Sequence, residues 1–399
     1  MNKTQKREVL RLGWVSLLTD ISSEMLYAIN PLFLTIVLGV NMRLLGLIEG
    51  IAEGTAALLK GLTGFYSDWL RKRKIFIVIG YTLSAISKPI IGFAISWHWV
   101  LGARFLDRFG KGIRTTSRDA LIADLTPIHN RGWAFGIHRM MDTLGAFIGV
   151  ALSLTILVVL LPFFKEEKSL RALYFIAFLP ALIGVLITLT IRDISSDHKD
   201  IPNIKNPTKD QHILPSRYFH LLGIYSLFAL ANSSDTFLIM RAKSIGFSTT
   251  DVLLLYLIFN ASYGLLSYPM GRLSDRFSKN YILGWGMIIY AVVYYGFGEL
   301  SSRWQVPVLF FLYGGYTAMT EGVSKALVSV LAPPEARGRA LGLFYTTSGL
   351  LFILASIIAG QMWDHISPSA PFYFGSVLAL LAGIGFFVLR LEPPQTTTH

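Results

Sequence analysis

The chain has 399 residues, of which 53% are hydrophobic and only 15% are charged; its mean hydropathy is +0.53, its formal charge is +12 and it has no cysteine. Water-soluble domains average about 25% charged residues, and a single core stops growing near about 250–300 residues, so the composition excludes an ordinary globular enzyme and is typical of a membrane protein. The lack of cysteine also excludes a disulfide framework, thiol catalysis and thiolate metal sites.

Apolar runs predict twelve transmembrane helices, because one crossing of the hydrocarbon layer takes about 20 residues. The predicted spans are 12–38, 44–65, 75–96, 99–125, 133–161, 169–190, 218–240, 252–270, 281–299, 305–331, 339–361 and 371–390. The first run is too long for the apolar core of a signal peptide and lacks a small-residue cleavage site. We therefore expect it to remain as a span.

One long hydrophilic stretch, Arg192 to Arg217, separates spans 6 and 7 and carries charges, prolines and asparagines. That composition is typical of a linker. We predict an N-terminal six-helix bundle at 1–191, a linker at 192–217 and a C-terminal six-helix bundle at 218–399.

Lysine and arginine outside the spans lie mostly in the segments on the side of the amino terminus. The positive-inside rule then predicts a multi-pass membrane protein with both termini and the linker in the cytoplasm. A nucleic-acid partner would need a basic extramembrane domain, so we predict no nucleic-acid partner and interpret the positive charge as a topology signal.

Three landmarks of the first half recur in the second half at offsets of 207, 206 and 211 residues. The matched landmarks are Gly64-Phe-Tyr-Ser-Asp68 with Gly271-Arg-Leu-Ser-Asp275, Arg131-Gly-Trp-Ala134-Phe-Gly136 with Arg337-Gly-Arg-Ala340-Leu-Gly342, and Ser22-Ser23-Glu24 with Ser233-Ser234-Asp235. Two homologous six-span halves explain this spacing. Both halves have the same orientation, because six crossings return the chain to the same side.

The Gly-x-x-x-Asp-x-x-(basic) loops after spans 2 and 8 resemble motif A of the major facilitator superfamily, and the resemblance covers essentially the whole chain. It extends to a prokaryotic subfamily of mostly unassigned substrate, and so implies a location in the prokaryotic cytoplasmic (inner) membrane. The resemblance implies an all-α membrane protein with twelve transmembrane helices in two pseudo-symmetric six-helix bundles. It also implies a cytoplasmic latch, in which the loop aspartate lies at the amino end of a facing helix. The latch residues are Gly64, Asp68, Arg71, Arg73, Gly271, Asp275, Arg276 and Lys279.

Ionisable side chains inside spans are functional candidates, because each costs a few kcal/mol or more unless it is paired or faces water. Asp20 and Glu24 lie one helical turn apart near the middle of span 1. Two carboxylates this close do not easily both ionise, so the pair predicts a site that takes and releases a proton. The candidates for proton coupling are Asp20, Glu24, Glu53 and Asp235, and the alternative interpretation is structural ion pairs that only orient the helices.

Span 4 carries its charges within an arc of roughly 140°, so one face can point away from lipid. Arg104-Phe-Leu-Asp107-Arg108 resembles motif B, with Asp107 and Arg108 in place of the Gln-Gly pair of that motif. An arginine here could respond to protonation on span 1 by stabilising a charged carboxylate. The predicted basic residues of a central cavity are Lys88, Arg104, Arg108, Lys111 and Arg114.

Acids and bases inside the first half nearly balance, which predicts a gate network whose partners exchange between inward and outward states. The network residues are Arg118, Asp119, His138, Asp142, Glu321 and Lys325. On span 5, Gly145 and Gly149 partly resemble motif C of exporters, although Ala146 stands where that motif has proline. No His/Asp/Glu cluster with metal spacing accompanies His138, so we predict no metal site.

Tyrosine is concentrated in the second half, where it could line a cavity with apolar faces and hydrogen-bonding tips. Belts at the membrane interface enrich tyrosine as well, so both interpretations stay open. The candidate cavity residues are Tyr256, Asn260, Tyr263, Tyr290, Tyr294, Tyr313 and Tyr316.

These features predict a proton-coupled secondary transporter that exports a small organic, amphiphilic molecule by alternating access, with the lipid bilayer, the substrate and protons as its partners. The alternative is uptake or exchange of an organic anion or phosphate-bearing solute bound by the lysine and arginine of spans 3 and 4. A multispan enzyme is disfavoured, because the sequence lacks motifs such as His-Glu-x-x-His and Gly-x-Ser-x-Gly. We expect no cofactor and a monomer.

Overall fold

A computed structural model describes residues 1, 3–70, 73–127, 130–191, 214–300, 302–333, 336–389 and 391–392. The side chains of residues 3, 60–70 and 275 are outside this description, and so is most of the predicted linker. Among the predicted latch residues, Arg71 lies outside the described residues, and only the backbone of Gly64, Asp68 and Asp275 is described.

The described residues form α-helices and one π-helical turn, and none of them lies in a strand. The elements are α1 Lys3–Tyr27, α2 Ile29–Leu32, the π turn Phe33–Val37, α3 Met42–Leu70, α4 Arg73–Gly92, α5 Trp97–Leu125, α6 Arg131–Leu160, α7 Glu166–Thr190, α8 Ser216–Ala231, α9 Thr236–Ser244, α10 Thr249–Arg276, α11 Lys279–Gly298, α12 Gln305–Leu331, α13 Arg337–His365 and α14 Ala370–Leu389. Span 1 consists of α1, α2 and the π turn, span 7 consists of α8 and α9, and every other helix forms one span. The prediction of twelve helical spans is confirmed.

Eight of the twelve spans are long and apolar enough to cross a membrane by length and composition alone, within the part of the chain that the structure describes. The other four are span 1, α3, α5 and α12. Their hydropathy is lowered by the ionisable residues inside them, which are most numerous on α5 and α1.

Contacts between helices divide the chain into two compact units. Unit 1 comprises Met1–Asn203 with Leu238–Leu257, and unit 2 comprises Ile204–Phe237 with Ile258–His399. The segment Leu238–Leu257, which the sequence assigns to the second half, thus groups with unit 1. The predicted bundle boundaries at 192 and 217 stay predictions.

The two units repeat one packing pattern. In unit 1, α1 packs on α6 and α7, while α4 packs on α5 and α7. In unit 2, α8 packs on α13 and α14, while α11 packs on α12 and α14. Each pair in unit 2 is the counterpart of a pair in unit 1, as the internal sequence repeat predicts.

Two glycines of α6 let this helix approach α1 closely. A Cβ atom on Gly145 would lie 2.6 Å from the carbonyl oxygen of Leu17, and one on Gly149 would lie 2.5 Å from that of Ile21. Both distances are far below van der Waals contact, and the obstacles are backbone atoms that cannot rotate away. The two helices run parallel, because both contacts advance by four residues in the same direction.

The first turn of α11 is closed by a residue from the far end of the chain. The Glu392 carboxylate accepts hydrogen bonds from Ser278 Oγ at 2.5 Å and from the backbone N–H of Lys279 at 2.8 Å. The Lys279 ammonium lies 3.3 Å from the same carboxylate. The acid therefore satisfies N–H groups that a helix start leaves without a partner, and it complements the helix dipole.

We predict that Gly149→Ala lowers the stability of the protein, because its Cβ must displace the backbone of α1. Overpacking of this kind costs about 1–3 kcal/mol. The midpoint of thermal denaturation in detergent measures the effect. Gly136→Ala on the same helix is the matched control, since its Cβ would meet nothing within 4 Å; equal midpoints for the two variants would contradict the close contact.

Candidate functional site

Two carboxylate–guanidinium pairs join α3 to α5 inside unit 1. Arg104 pairs with Glu49, and each of these side chains is only 4% exposed. One turn along both helices, Arg108 Nη2 lies 2.7 Å from Glu53 Oε1. A buried charge is costly unless a partner of opposite charge is bonded to it, so these pairs fix the rotation of α3 and α5 about their axes.

Asp107 on α5 contacts one residue of α4 and one of its own helix. It accepts a hydrogen bond from the hydroxyl of Ser84, and its Oδ2 lies 3.8 Å from Arg108 Nε. The buried ammonium of Lys88 donates to the carbonyl oxygen of Ser84 at 2.9 Å. The predicted basic residues Lys88, Arg104 and Arg108 thus each have a protein acceptor, although the Nε atoms of both arginines have no hydrogen-bond partner among the described residues.

Among the described residues, no cation lies within ion-pair distance of the two acids of α1. Within the described residues, no hydrogen bond or ion pair reaches the Asp20 carboxylate. Glu24 accepts a hydrogen bond of 2.9 Å from the hydroxyl of Tyr256, whose ring stacks on Tyr27 at 5.1 Å between ring centroids. The sequence predicts that Arg104 stabilises a charged carboxylate on α1, whereas the structure pairs Arg104 with Glu49 on α3.

Two basic residues of α5, Arg114 and Lys111, form no ion pair among the described residues, unlike Arg104 and Arg108. The guanidinium of Arg114 is 5% exposed and lies 4.5 Å from the ring centroid of Tyr81. Its Nη1 has no hydrogen-bond partner among the described residues. The charge of Lys111 acts on both Asp20 and Glu24, yet in the described part of the chain Lys111 forms no ion pair within 4.0 Å.

Four predicted gate residues meet where α1, α5 and α6 come together. Arg118 lies 3.0 Å from Asp119 and donates to Ser16 Oγ at 3.1 Å. Ser16 in turn donates to Asp142, and Asp142 Oδ2 lies 3.6 Å from His138 Nδ1. The structure therefore connects these gate residues of unit 1 through one serine.

The other two gate residues, Glu321 and Lys325, lie on α12 in unit 2. Their side chains are more than 40% exposed and 3.3 Å apart, and the hydroxyl of Tyr263 donates to Glu321 at 2.5 Å. Whether they exchange partners during transport stays a prediction.

Tyrosines form the buried core of unit 2. The rings of Tyr290 and Tyr294 stack with centroids 4.0 Å apart, and Tyr316 meets Tyr290 edge to face at 4.8 Å. Tyr313 completes the cluster and donates to Asp235 at 2.6 Å. Asp235 stands in the non-helical stretch between α8 and α9. These four tyrosines are at most 6% exposed, so they pack on one another here.

The remaining predicted cavity residues lie on α10. Tyr256 belongs to unit 1 and bonds Glu24, whereas Asn260 and Tyr263 belong to unit 2 and are half-buried. The structure therefore does not bring all seven residues into one cluster. Their role as cavity lining stays a prediction.

The described latch residues have local partners. Arg73 Nε lies 2.9 Å from Asp124 at the end of α5, and Lys279 pairs with Glu392. Gly271 and Arg276 lie exposed near the end of α10. The aspartates that define the latch have undescribed side chains, so the latch itself stays a prediction.

Sequence reasoning missed several polar partners. Glu49 was overlooked as the partner of Arg104, although it is one turn before Glu53, as Arg104 is before Arg108. Ser16 and Ser84 carried no signal, because a serine in an apolar helix often bonds only its own backbone. Among the described residues, no group of three or more His, Cys, Asp or Glu side chains could hold a metal ion.

Buried charged side chains on membrane-spanning helices, in two units that repeat one packing pattern, are typical of membrane transporters. Comparison with known proteins agrees: a family model described as Major Facilitator Superfamily matches residues 12–259 and 221–399. The chain belongs to this superfamily, and it is a transporter, not an enzyme.

Three relatives illustrate the range of similarity. An uncharacterised MFS-type transporter of Methanocaldococcus jannaschii is 37% identical over 95% of this chain and 94% of its own. A multi-drug resistance efflux pump PmrA homologue of Lactococcus lactis is 24% identical over 88% of this chain and 87% of its own. The crystal structure of a bacterial homologue of the human lysosomal transporter Spinster has a TM-score of 0.76 at 15% identity, over 99% of this chain and 100% of the other.

We predict that Glu49→Gln strongly destabilises unit 1, because Arg104 is left charged and buried without its carboxylate. Breaking a buried pair in this way costs about 3–5 kcal/mol. Thermal denaturation in detergent measures the loss. Replacing both partners, as Glu49→Leu with Arg104→Met, should recover most of it.

The matched control is Glu167→Gln, which removes the acid of the exposed Arg171–Glu167 pair on α7. An exposed pair contributes about 0–1 kcal/mol, so the midpoint should hardly move. A Glu49→Gln protein as stable as the control would show that the buried pair is unimportant for the fold.

Proposed function

We propose that the chain is a proton-coupled secondary active transporter, which exports a small organic, amphiphilic molecule by alternating access. The observation that carries this proposal is the contrast between acids of neighbouring helices. Glu49 and Glu53 on α3 are each bonded to an arginine, whereas Asp20 and Glu24 on α1 have no cation within ion-pair distance among the described residues.

A carboxylate inside a membrane protein is costly when neither water nor a cation balances it. A proton removes this cost by neutralising the group. Asp20 and Glu24 therefore favour bound protons in the conformation described here, and a conformation that gives them water or a base favours proton release. That difference between conformations is what couples proton movement to a change of state.

The basic residues Lys111 and Arg114 of α5 allow the attraction between α1 and α5 to change when the acids of α1 gain or lose protons. Lys111 and Arg114 act on Asp20 electrostatically, and Lys111 also acts on Glu24. When the acids lose their protons, their negative charge attracts these side chains and favours α1 and α5 drawn together. When the acids are protonated, that attraction vanishes.

Export of an amphiphile is supported by the relative in Lactococcus lactis, which is named as a multi-drug efflux pump, and by the partial resemblance to motif C at Gly145 and Gly149. Tyr27 and Tyr256 beside Glu24 offer apolar ring faces next to a carboxylate. Such a combination suits a substrate with both an apolar body and a polar group.

We predict that Glu24→Gln abolishes the dependence of transport on a pH gradient while leaving counterflow. The glutamine keeps the shape and the hydrogen bond to Tyr256 but cannot take up a proton. A thermal-shift screen of metabolites and drugs against the purified protein supplies the transported compound. Its movement is then followed in proteoliposomes with and without an imposed pH gradient.

Asp20→Asn is the second variant of this experiment, and Glu167→Gln on the exposed end of α7 is the control that should behave as the wild type. If gradient-driven transport persists in both Glu24→Gln and Asp20→Asn, these acids do not couple protons. If wild-type transport ignores the gradient, the transporter uses another driving force.

Arg114 favours a second candidate function, the uptake or exchange of an organic anion or phosphate-bearing solute. Its guanidinium is buried, and one terminal nitrogen has no hydrogen-bond partner among the described residues. Carboxylate and phosphate groups suit such a donor because they accept two parallel hydrogen bonds. Lys88, Arg104 and Arg108 fit this role less well, because protein acceptors already bind them.

For this candidate we predict that Arg114→Gln weakens binding of a negatively charged compound at least about tenfold, the loss expected for one charge-assisted hydrogen bond. Isothermal titration of the purified protein with the compound found by the screen measures it. A neutral or cationic ligand, or unchanged affinity in the variant, excludes the anion function.

A further inference from the structure

A row of ionisable side chains follows the contact between α1 and α6. Because the two helices run parallel, residues toward the start of α1 lie beside residues toward the start of α6. A Cβ on Gly145 would lie 3.1 Å from Cβ of Asp20. Asp142 lies about one turn before Gly145, and His138 lies one turn further. The row thus leads from Asp20 through Asp142 to His138, toward the helix ends that carry the amino terminus.

Within this row, a side chain uses one polar atom for one neighbour and presents its other polar atom to the next residue of the row. Ser16 donates to Oδ1 of Asp142, which leaves Oδ2 facing Nδ1 of His138 at 3.6 Å. The Nε2 atom of His138 has no hydrogen-bond partner among the described residues, although the residue is only 4% exposed. A buried polar atom without a partner costs free energy, so it needs a functional reason.

Histidine is the side chain whose charge changes most readily near neutral pH. The charged groups that face His138 are Asp142 and Arg139 on its own helix, together with Arg118 and Asp119 on α5. The charged groups that face Asp20 are Glu24 on its own helix, Asp142 on α6, and Lys111 and Arg114 on α5. Acids and bases are therefore equal in number around both ends of the row.

We propose that His138 carries protons between Asp20 and the solvent at the amino-terminal end of the bundle, with Asp142 as the intermediate. This inference rests on the proposed proton coupling at Asp20. The Asp20 O–H bond breaks as the proton passes to the Asp142 carboxylate. Asp142 Oδ2 then gives a proton to His138 Nδ1, and the imidazolium releases the proton on Nε2 to water. The neutral ring now carries its proton on Nδ1. It turns Nδ1 toward water, takes a proton from water on Nε2, releases the Nδ1 proton to water and turns back, which restores the starting tautomer.

The test follows hydrogen–deuterium exchange of the Asp20 carboxyl in proteoliposomes without any transported compound. Infrared absorption of the protonated carboxyl reports the exchange after transfer into heavy water, and the component lost in Asp20→Asn identifies Asp20. We expect His138→Gln to slow exchange of this component at least about tenfold, since a positioned acid–base group contributes a factor of about 10²–10⁴. Imidazole added to the variant should restore the rate.

The controls separate proton transfer from structure. His98→Gln makes the same substitution at the exposed start of α5 and should leave the rate unchanged. Asp142→Asn should slow exchange as His138→Gln does, without rescue by imidazole, and it keeps the test valid if His138→Gln fails to fold. Rescue distinguishes a carrier from a packing residue, because imidazole cannot repair a packing defect.

Two failures are distinguishable. If Asp20→Asn removes no component, Asp20 is not protonated, and the proposed coupling at Asp20 fails along with the relay. If the component exists but exchanges at the wild-type rate in His138→Gln and Asp142→Asn, the relay is overturned while the coupling stands.

Discussion

The pairing of Glu49 with Arg104, and of Glu53 with Arg108, is the interaction on which the rest of unit 1 depends. Four charges within two turns of α3 and α5 could not stay inside a membrane protein without each other. Because the pairs sit at the same spacing on both helices, satisfying one pair also aligns the second. The rotation of α3 and α5 about their axes that forms both pairs determines which residues of α5 face α3 and which face other helices.

The residues packed against Asp20 and Glu24 determine the electrostatic surroundings of these two acids of α1. On the α6 side, the glycine contact brings the two backbones so close that even a Cβ atom on Gly145 or Gly149 would collide with α1. Asp20 consequently faces another acid, Asp142, and Glu24 faces a phenol. In the described part of the chain, neither carboxylate has a cation within ion-pair distance, and Asp20 lies directly at the close contact between α1 and α6. Stability and proposed function are linked by this contact.

The sequence predicted the twelve spans, the internal repeat and the charged face of span 4, because each depends on a periodicity that the chain itself carries. It did not predict which acid meets which base. Spacing of four residues places Glu49 with Glu53 and Arg104 with Arg108 on common faces, but it does not say that those faces meet. The sequence therefore predicts Arg104 near α1 and assigns Glu49 no partner.

Tyrosine positions were similarly ambiguous. A tyrosine that stacks in a core, bonds an acid or lies at a membrane interface looks the same in sequence, and Tyr290, Tyr294 and Tyr316 became a stacked core cluster. The bond from Tyr256 to Glu24 joins residues 232 positions apart, far beyond any local pattern. Long-range partners of this kind depend on tertiary packing, which periodicity does not encode.

The carboxylate of Glu392 has a consequence for how the protein is made. It closes the start of α11 from 113 residues downstream of Lys279. During synthesis, α11, α12 and α13 emerge from the ribosome before this acid exists, so the N–H groups at the start of α11 must be satisfied by water or lipid headgroups in the meantime. Biogenesis of unit 2 is therefore complete only when translation has passed the last helix.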